Sequence, residues 1–150
     1  MPPSLPTPHF KQEQSHTCVP ASARMILAHL GHSIDESALA KLLDTKIFGT
    51  HANNIQRLTA LGFRVSFGPS SLTNIRVALQ HNLPVIAFVM TGRLHYWNLN
   101  VAHALVIVGV DDANVYLNDP WFDHAPQVCP IDDFLAAWKE YNHLAAFIAK

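Results

Sequence analysis

The sequence predicts an α+β fold in which helices of the first half pack on a sheet formed by the second half. Between Cys18 and His81 the apolar residues recur mostly with helical spacing, whereas after Pro84 they form continuous runs of strand length. Helices in one half and strands in the other are typical of this fold class. A length of 150 residues with 49% apolar and 14% charged residues indicates one compact domain.

The first predicted helix begins at Cys18 and ends before Gly31. Pro20 falls in its first turn, where the missing proline N–H is tolerated, and glycine is typical of the position just after a helix. Its apolar positions are Met25, Ile26, Leu27 and Leu30. The sequence therefore places Cys18 at, or directly before, a helix N-terminus.

Three more helices and a short strand follow before the apolar runs begin. Asp35 is a good N-cap for a helix that runs to about Leu43. A third helix is predicted over 52–61, a strand over 64–67 and a fourth helix over 72–81. These elements complete the helical first half.

The second half is dominated by strands. The apolar runs predict strands over 84–90, 102–110, 115–117 and 144–148. The polar turn at 111–114 makes the second and third of these a hairpin. A short helix is predicted over 131–138, with Asp132 as its cap.

Composition and the first residues exclude several classes of function. A net charge of −1 and the absence of a basic run argue against nucleic-acid binding. Residues 1–10 hold four prolines and predict an extended arm before a single domain at 11–150. This start lacks the features of a signal peptide, and no apolar run reaches the ~18 residues of a membrane span. The expected location is therefore the cytoplasm, where thiols stay reduced.

Two residues of this pattern could carry nucleophilic chemistry. A thiol at a helix N-terminus has a lowered pKa, which would activate Cys18, although a free cysteine is also a common small core residue. His103 interrupts an apolar strand, so its ring must have a hydrogen-bond partner or face a cleft. A structural histidine satisfies the same requirement, and the residue type alone does not separate the two interpretations.

Two further residues could assist such a pair. Asp119 ends the strand that follows His103, so a hairpin would bring the carboxylate beside the imidazole; Asn-Asp-Pro is also ordinary turn chemistry. The amide of Gln12 could donate to an oxyanion together with the backbone N–H of Cys18. Gln14 is an equally placed alternative, and a surface glutamine is the ordinary interpretation of either residue.

Three separated blocks occur together in this order: Q-x5-C-x-P-A-S-x-x-M-I-L from Gln12, H-A-L-V-I-V-G-V-D-D from His103, and V-Y-L-N-D-P ending at Pro120. In these blocks the chain resembles the C39 and C39-like cysteine peptidases of the papain-like group, which include double-glycine leader peptidases. The resemblance implies a papain-like fold with a helical N-terminal lobe on an antiparallel sheet lobe. It implies Cys18 as nucleophile, His103 as general base and acid, Asp119 as its orienting partner and Gln12 in the oxyanion hole.

Metals and cofactors are not expected. The close histidine pairs, 29/32 and 95/103, lack the cysteine or carboxylate spacing of a structural metal site, and Cys129 is expected to be a packed thiol. Two cysteines are too few for a disulfide framework. Three aromatic residues near the candidate site are expected to line a substrate cleft, namely Tyr96, Trp97 and Trp121.

The sequence thus predicts a cysteine peptidase that cleaves a peptide bond through a Cys-His-Asp triad and an acyl-enzyme. Its partner would be a peptide or protein substrate, with or without a second protein that presents it. Three alternatives remain open. They are another acyl-transfer enzyme with the same triad, such as a deamidase or transpeptidase, a silent peptide- or leader-binding module, and a structural protein with a buried cysteine.

Overall fold

The computed structural model describes residues 4–150, so residues 1–3 of the expected arm lie outside the described residues. The α-helices in this range are α1 (Cys18–His29), α2 (Glu36–Leu42), α3 (Leu72–Gln80) and α4 (Ile131–Lys139), with 3-10 helices at Ala52–Leu61 and Thr91–Arg93. The strands are β1 (Arg64–Pro69), β2 (Val85–Met90), β3 (Ala102–Val110), β4 (Asn114–Asn118), β5 (Gln127–Pro130) and β6 (Leu144–Ala149).

All six strands form one antiparallel sheet in the order β1-β6-β2-β3-β4-β5. Strand β6, the last in the chain, lies between β1 and β2. Strand β2 pairs along its whole length with β3, with His103 opposite Val89. Strands β3 and β4 form the predicted hairpin, so the residue that follows β4 lies near the beginning of β3.

Both faces of the sheet are covered by helices. Ile86 and Phe88 pack with α1, α2 and the first 3-10 helix, whereas Val85, Ala87 and Val89 pack with α3 and α4 on the other face. Strands buried on both sides need apolar residues at every position, which explains the continuous apolar runs. Each fully buried aliphatic side chain here contributes about 1.5–3 kcal/mol. The result is an α+β papain-like arrangement, as predicted.

Most element boundaries match the prediction. Cys18 is the first residue of α1, Asp35 is the N-cap of α2, and Gly62 ends the 3-10 helix with a φ of 91°. One cap was predicted wrongly: Pro130, the last residue of β5, caps α4, and Asp132 lies in its first turn. Strand β5 was not predicted because it has four residues, ends in proline and leads directly into the helix.

The described part of the proline-rich arm lies against the domain. Leu5 N donates to Val108 O at 2.7 Å, at the place where an irregularity shifts the register between β3 and β4. The carbonyl of Thr7 accepts from Asn118 Nδ2 at 3.2 Å, and His9 Nε2 is 2.7 Å from the carbonyl oxygen of Phe122. Within residues 4–150, no helix has the length and apolar character to cross a membrane.

Candidate active site

Helix α1 brings Cys18 to the sheet. The turn before the helix is held by Thr17, whose Oγ1 donates to Gln14 O at 2.9 Å and accepts from Gln14 N at 3.1 Å. Val19, the next residue, is buried in the core against the sheet and fixes the first turn. Cys18 itself remains partly exposed. Its sulfur is therefore held at a helix N-terminus beside a solvent-accessible cleft.

His103 links the thiol to a buried carboxylate. Its Nε2 lies 2.7 Å from Asp119 Oδ1, and both side chains are almost wholly buried. The β3–β4 hairpin explains this contact, because it sets the start of one strand beside the end of the other. With Nε2 engaged, Nδ1 is the ring nitrogen left for Cys18, which lines the same cleft as His103 and whose pKa His103 lowers. Thiol, imidazole and carboxylate thus form one continuous row.

The electrostatics of this row favour a thiolate beside an imidazolium. Burial alone would raise the pKa of Cys18, but the hydrogen bond and positive charge of His103, with the backbone N–H of Ala104, lower it below its ordinary value. Burial alone would lower the pKa of His103, but its bonds to Asp119 and Cys18 raise it to about 10. A thiol with a lowered pKa beside a histidine with a raised one is the charge state of an activated nucleophile.

Asp119 is held by four donors. Besides the His103 contact, its Oδ2 accepts from Tyr96 Oη and Trp97 Nε1, both at 2.8 Å, and its Oδ1 accepts from Trp121 N at 3.1 Å. Burial would raise the pKa of Asp119, but the bond to His103 and the other donors lower it. The carboxylate is therefore ionised and fixed in orientation, which in turn fixes the ring of His103.

The predicted cleft aromatics take different positions. Trp97 and Trp121 line the cleft and pack together, with ring centroids 5.7 Å apart. The Trp97 ring also meets that of His103 edge-on at 4.9 Å. Tyr96 is not among the described residues that line the cleft; its hydroxyl donates to Asp119 instead. The sequence did not suggest that two of these side chains bind Asp119, because hydrogen bonds across the fold leave no local pattern.

Gln12 and Gln14 differ in burial. Gln12 is buried and Gln14 exposed; Gln12 Nε2 donates to Gln14 O at 2.8 Å, and Gln12 N donates to Pro120 O at 2.7 Å. Among the residues that the structure describes, Gln12 Oε1 has no hydrogen-bond partner and no hydrogen bond joins Gln12 to Cys18. The second amide hydrogen of Gln12 is therefore uncommitted, and its backbone ties this segment to the loop after Asp119.

The cleft beside Cys18 encloses about 420 Å³. Its walls include Cys18, His103, Trp97 and the exposed apolar side chains of Phe48 and Leu99. An apolar groove with one reactive row at its base can bind an extended chain segment and expose a carbonyl to the thiol.

Two contacts of the site were not anticipated from the sequence. The backbone N–H of Ala104 helps to lower the pKa of Cys18, and the buried carboxylate of Glu36 accepts from Glu13 N at 3.0 and 3.2 Å. The second contact anchors the segment between Gln12 and the helix. The Ala104 contribution comes from the backbone, so no residue type could have indicated it. Glu36 would ordinarily be expected to be a surface charge in the first turn of a helix.

The other cysteine has the opposite environment. Cys129 is fully buried in β5, and its Sγ lies 3.5 Å from Pro130 O. Burial and the charge of Asp133 raise the pKa of this thiol to about 12. The two cysteines of the chain therefore differ strongly in acidity, which provides an internal reference for reactivity.

Comparison with known proteins identifies the family. The model of the Peptidase_C39 like family matches residues 4–146. A C39-like peptidase of Bacillus anthracis superposes with a TM-score of 0.80 at 17% identity, over 98% of this chain and 97% of that one. The peptidase domain of Streptococcus ComA, a bi-functional ABC transporter of a quorum-sensing pathway, gives 0.76 at 23% identity, over 98% of each chain.

A double glycine motif protease from an AMS/PCAT transporter, in complex with its leader peptide, gives a TM-score of 0.72 at 16% identity, over 99% of this chain and 94% of that one. No curated protein sequence matches the chain significantly. At these identities the solved structures establish the fold, and the family model, which spans nearly the whole chain, establishes the family. The chain belongs to the Peptidase_C39 like family and is a C39-like cysteine peptidase domain.

Proposed function

We propose that this domain hydrolyses peptide bonds with Cys18 as the nucleophile, His103 as the general base and acid, and Asp119 as the residue that orients His103. One observation carries the proposal: Cys18 and His103 line the same cleft, and His103 Nε2 lies 2.7 Å from the buried Asp119 carboxylate. A packed structural cysteine has no need of an imidazole held in one orientation by a carboxylate with three further donors.

In the proposed reaction the Cys18 thiolate attacks the carbonyl carbon of the scissile peptide bond and forms a tetrahedral oxyanion. When this intermediate collapses, the C–N bond breaks and His103 gives its proton to the leaving amine. Water then attacks the thioester while His103 accepts its proton. Collapse of the second intermediate releases the carboxylic acid and returns the thiolate–imidazolium pair.

The oxyanion would form at the N-terminus of α1. The backbone N–H of Cys18 points along the helix axis there, and the positive end of the helix dipole favours negative charge. The uncommitted amide hydrogen of Gln12 is the proposed second donor, held by its bond to Gln14 O. Of the two glutamines, the buried one supports this role, since an exposed side chain is not held in one position.

A peptide with apolar side chains suits the cleft. Phe48 is 74% exposed and Leu99 58% exposed on its rim, and neither packs in a core cluster of the described residues. The transporter protease named above binds a leader peptide, and we extend the class of substrate, a peptide, to this chain. A reducing compartment such as the cytoplasm would keep Cys18 available as a free thiol.

The test compares the reactivity of the two cysteines. Iodoacetamide labelling is followed against pH by mass spectrometry in wild type, His103→Ala and the control His16→Ala, which alters a second histidine of the cleft. We expect Cys18 to label rapidly well below pH 8.5, the ordinary range of a thiol, while Cys129 stays unlabelled in the folded protein. His103→Ala should slow the labelling and shift it to higher pH, and His16→Ala should leave it unchanged.

Cleavage of a peptide library then separates a peptidase from a binding module. Wild type should release products, and Cys18→Ala should bind the same peptides without cutting them. If Cys18 labels like an ordinary thiol and His103→Ala has no effect, the proposed pair does not exist and the triad assignment fails. If the pair is reactive but water does not resolve the acyl-enzyme unless an amine is added, the domain is a transferase instead.

A further inference from the structure

A second group of metal-binding side chains lies outside the cleft. The donor atoms of His95, Cys129 and Asp133 are all within 4.8 Å of one another. They come from three places in the chain: the loop before β3, strand β5 and the first turn of α4. The proposed peptidase mechanism uses none of them.

The three donors are not committed to other partners. Among residues 4–150, neither the His95 ring nor the Asp133 carboxylate makes a side-chain hydrogen bond or ion pair, and Cys129 has only the long 3.5 Å contact to Pro130 O. Within this part of the chain, all three donors are therefore available to an ion.

The burial of the group fits a site that an ion can enter. Cys129 is buried, Asp133 half-buried and His95 exposed, so the cluster opens to solvent on the histidine side. Ligand atoms around a tetrahedral zinc ion are about 3.3–3.8 Å apart. Closing the cluster from 4.8 Å therefore requires a shift of about 1.5 Å at most, which rotation of the exposed imidazole and the half-buried carboxylate can supply.

We infer that His95, Cys129 and Asp133 form a binding site for a thiophilic divalent cation of the zinc class, with water as the fourth ligand. The donor types decide the class of metal: thiolate and imidazole favour zinc and its neighbours over magnesium and calcium, which require oxygen donors. This site could not be predicted from the sequence, because His95 is distant in the chain from the Cys129-x3-Asp133 pair.

The position of the site connects it with the carboxylate of the triad. His95 directly precedes Tyr96 and Trp97, the two side chains that donate to Asp119 Oδ2. An ion that joins His95 to β5 and α4 would hold this loop against the domain. The cation is therefore a structural clamp behind the active site, and no step of hydrolysis passes through it.

The test uses cobalt(II), which reports thiolate ligation through a charge-transfer absorption in the near ultraviolet. In Cys18→Ala, Cys129 is the only remaining cysteine of the chain, so such an absorption must come from it. Cobalt titration gives the stoichiometry, and zinc competition gives the zinc affinity. The companion variants in this background are His95→Ala, Asp133→Asn and Cys129→Ser, with Asp132→Asn as the matched control on the same helical turn.

We expect one cobalt ion per chain with thiolate absorption, and a melting temperature that falls when EDTA removes the metal. His95→Ala and Asp133→Asn should each weaken binding by at least about tenfold, the lower limit for loss of an outer-shell partner. Cys129→Ser should abolish the absorption, and Asp132→Asn should change nothing. His95→Ala alters an exposed residue, so misfolding cannot explain its effect.

No thiolate absorption in excess cobalt, or absorption that His95→Ala and Asp133→Asn leave unchanged, would overturn the inference. Because these measurements are made without Cys18, their outcome is independent of the peptidase proposal.

Discussion

Replacement of Asp119 by asparagine keeps the shape of the side chain but turns one acceptor oxygen into an NH2 donor. Both oxygens accept in the structure, Oδ1 from His103 and Trp121 N, and Oδ2 from Tyr96 and Trp97. We expect the asparagine oxygen to occupy the Oδ1 position. The reverse orientation would place NH2 against His103 and force its remaining proton onto Nδ1, which removes the acceptor for the thiol proton.

In the expected orientation the new NH2 group faces Tyr96 and Trp97. The tyrosine hydroxyl can rotate and accept, but an indole N–H is only a donor, so Trp97 Nε1 loses its partner in a buried site. A buried donor without a partner costs about 1–3 kcal/mol. We therefore expect Asp119→Asn to lower the free energy of unfolding by about this amount.

A double-mutant cycle isolates the free-energy cost of leaving the Trp97 N–H without a partner. Urea unfolding is followed by far-UV circular dichroism in wild type, Asp119→Asn, Trp97→Phe and the double variant. Since Trp97→Phe removes the stranded donor, it should cost about 1–3 kcal/mol less in the asparagine background than in wild type. Trp138→Phe is the matched control, because its indole donates to Leu144 O and shares no partner with Asp119.

The effects of Asp119→Asn and the control Trp138→Phe on the free energy of unfolding should add within about 0.5 kcal/mol. If the effects of Asp119→Asn and Trp97→Phe are equally additive, the indole N–H is not bound to the Asp119 carboxylate. In that case His103 is not rigidly held in the way proposed.

Two further predictions concern the proposed chemistry. The value of kcat/KM should rise with pH as Cys18 ionises, below the ordinary thiol range because its pKa is lowered, and fall near pH 10 as His103 loses its proton. A falling limb near pH 6.5, the ordinary pKa of a histidine, would contradict the charged pair. Gln12→Ala should lower kcat by about 10²–10³ with little change in KM, as for a lost oxyanion donor, while Gln14→Ala should remain within about twofold because its side chain is exposed. Steady-state kinetics on one peptide measures both, and equal losses in the two variants would remove Gln12 from the oxyanion hole.

The sequence predicted the elements whose signals are local. Pro20, Asp35 and Gly62 mark helix ends through residue types that these positions favour, and β2 and β3 have the apolar runs of doubly covered strands. What it missed depends on distant parts of the chain. Strand β5 exists because β4 offers it a partner, and its sequence alone, with Pro130 as the fourth residue, favours a loop.

The same division applies to the candidate site. A hairpin between two predicted strands was enough to expect His103 beside Asp119, and these side chains meet at 2.7 Å. The donors from Tyr96 and Trp97 were not foreseen, since nothing in the residues fixes the path of the loop between β2 and β3. That path depends on Thr91, whose Oγ1 donates to Leu99 O at 2.6 Å and accepts from Val101 N at 2.9 Å.

The place of β6 in the sheet has a consequence for biosynthesis. Strand β6 follows the proposed triad residues in the chain, yet it pairs with both β1 and β2, so the edges of β1 and β2 that it covers stay open until residues 144–149 are added. Such non-local pairing is slow and is completed late. During translation the proposed triad is therefore complete in sequence before the sheet that holds it is finished. We expect a nascent chain on the ribosome to have no peptidase activity before strand β6 emerges.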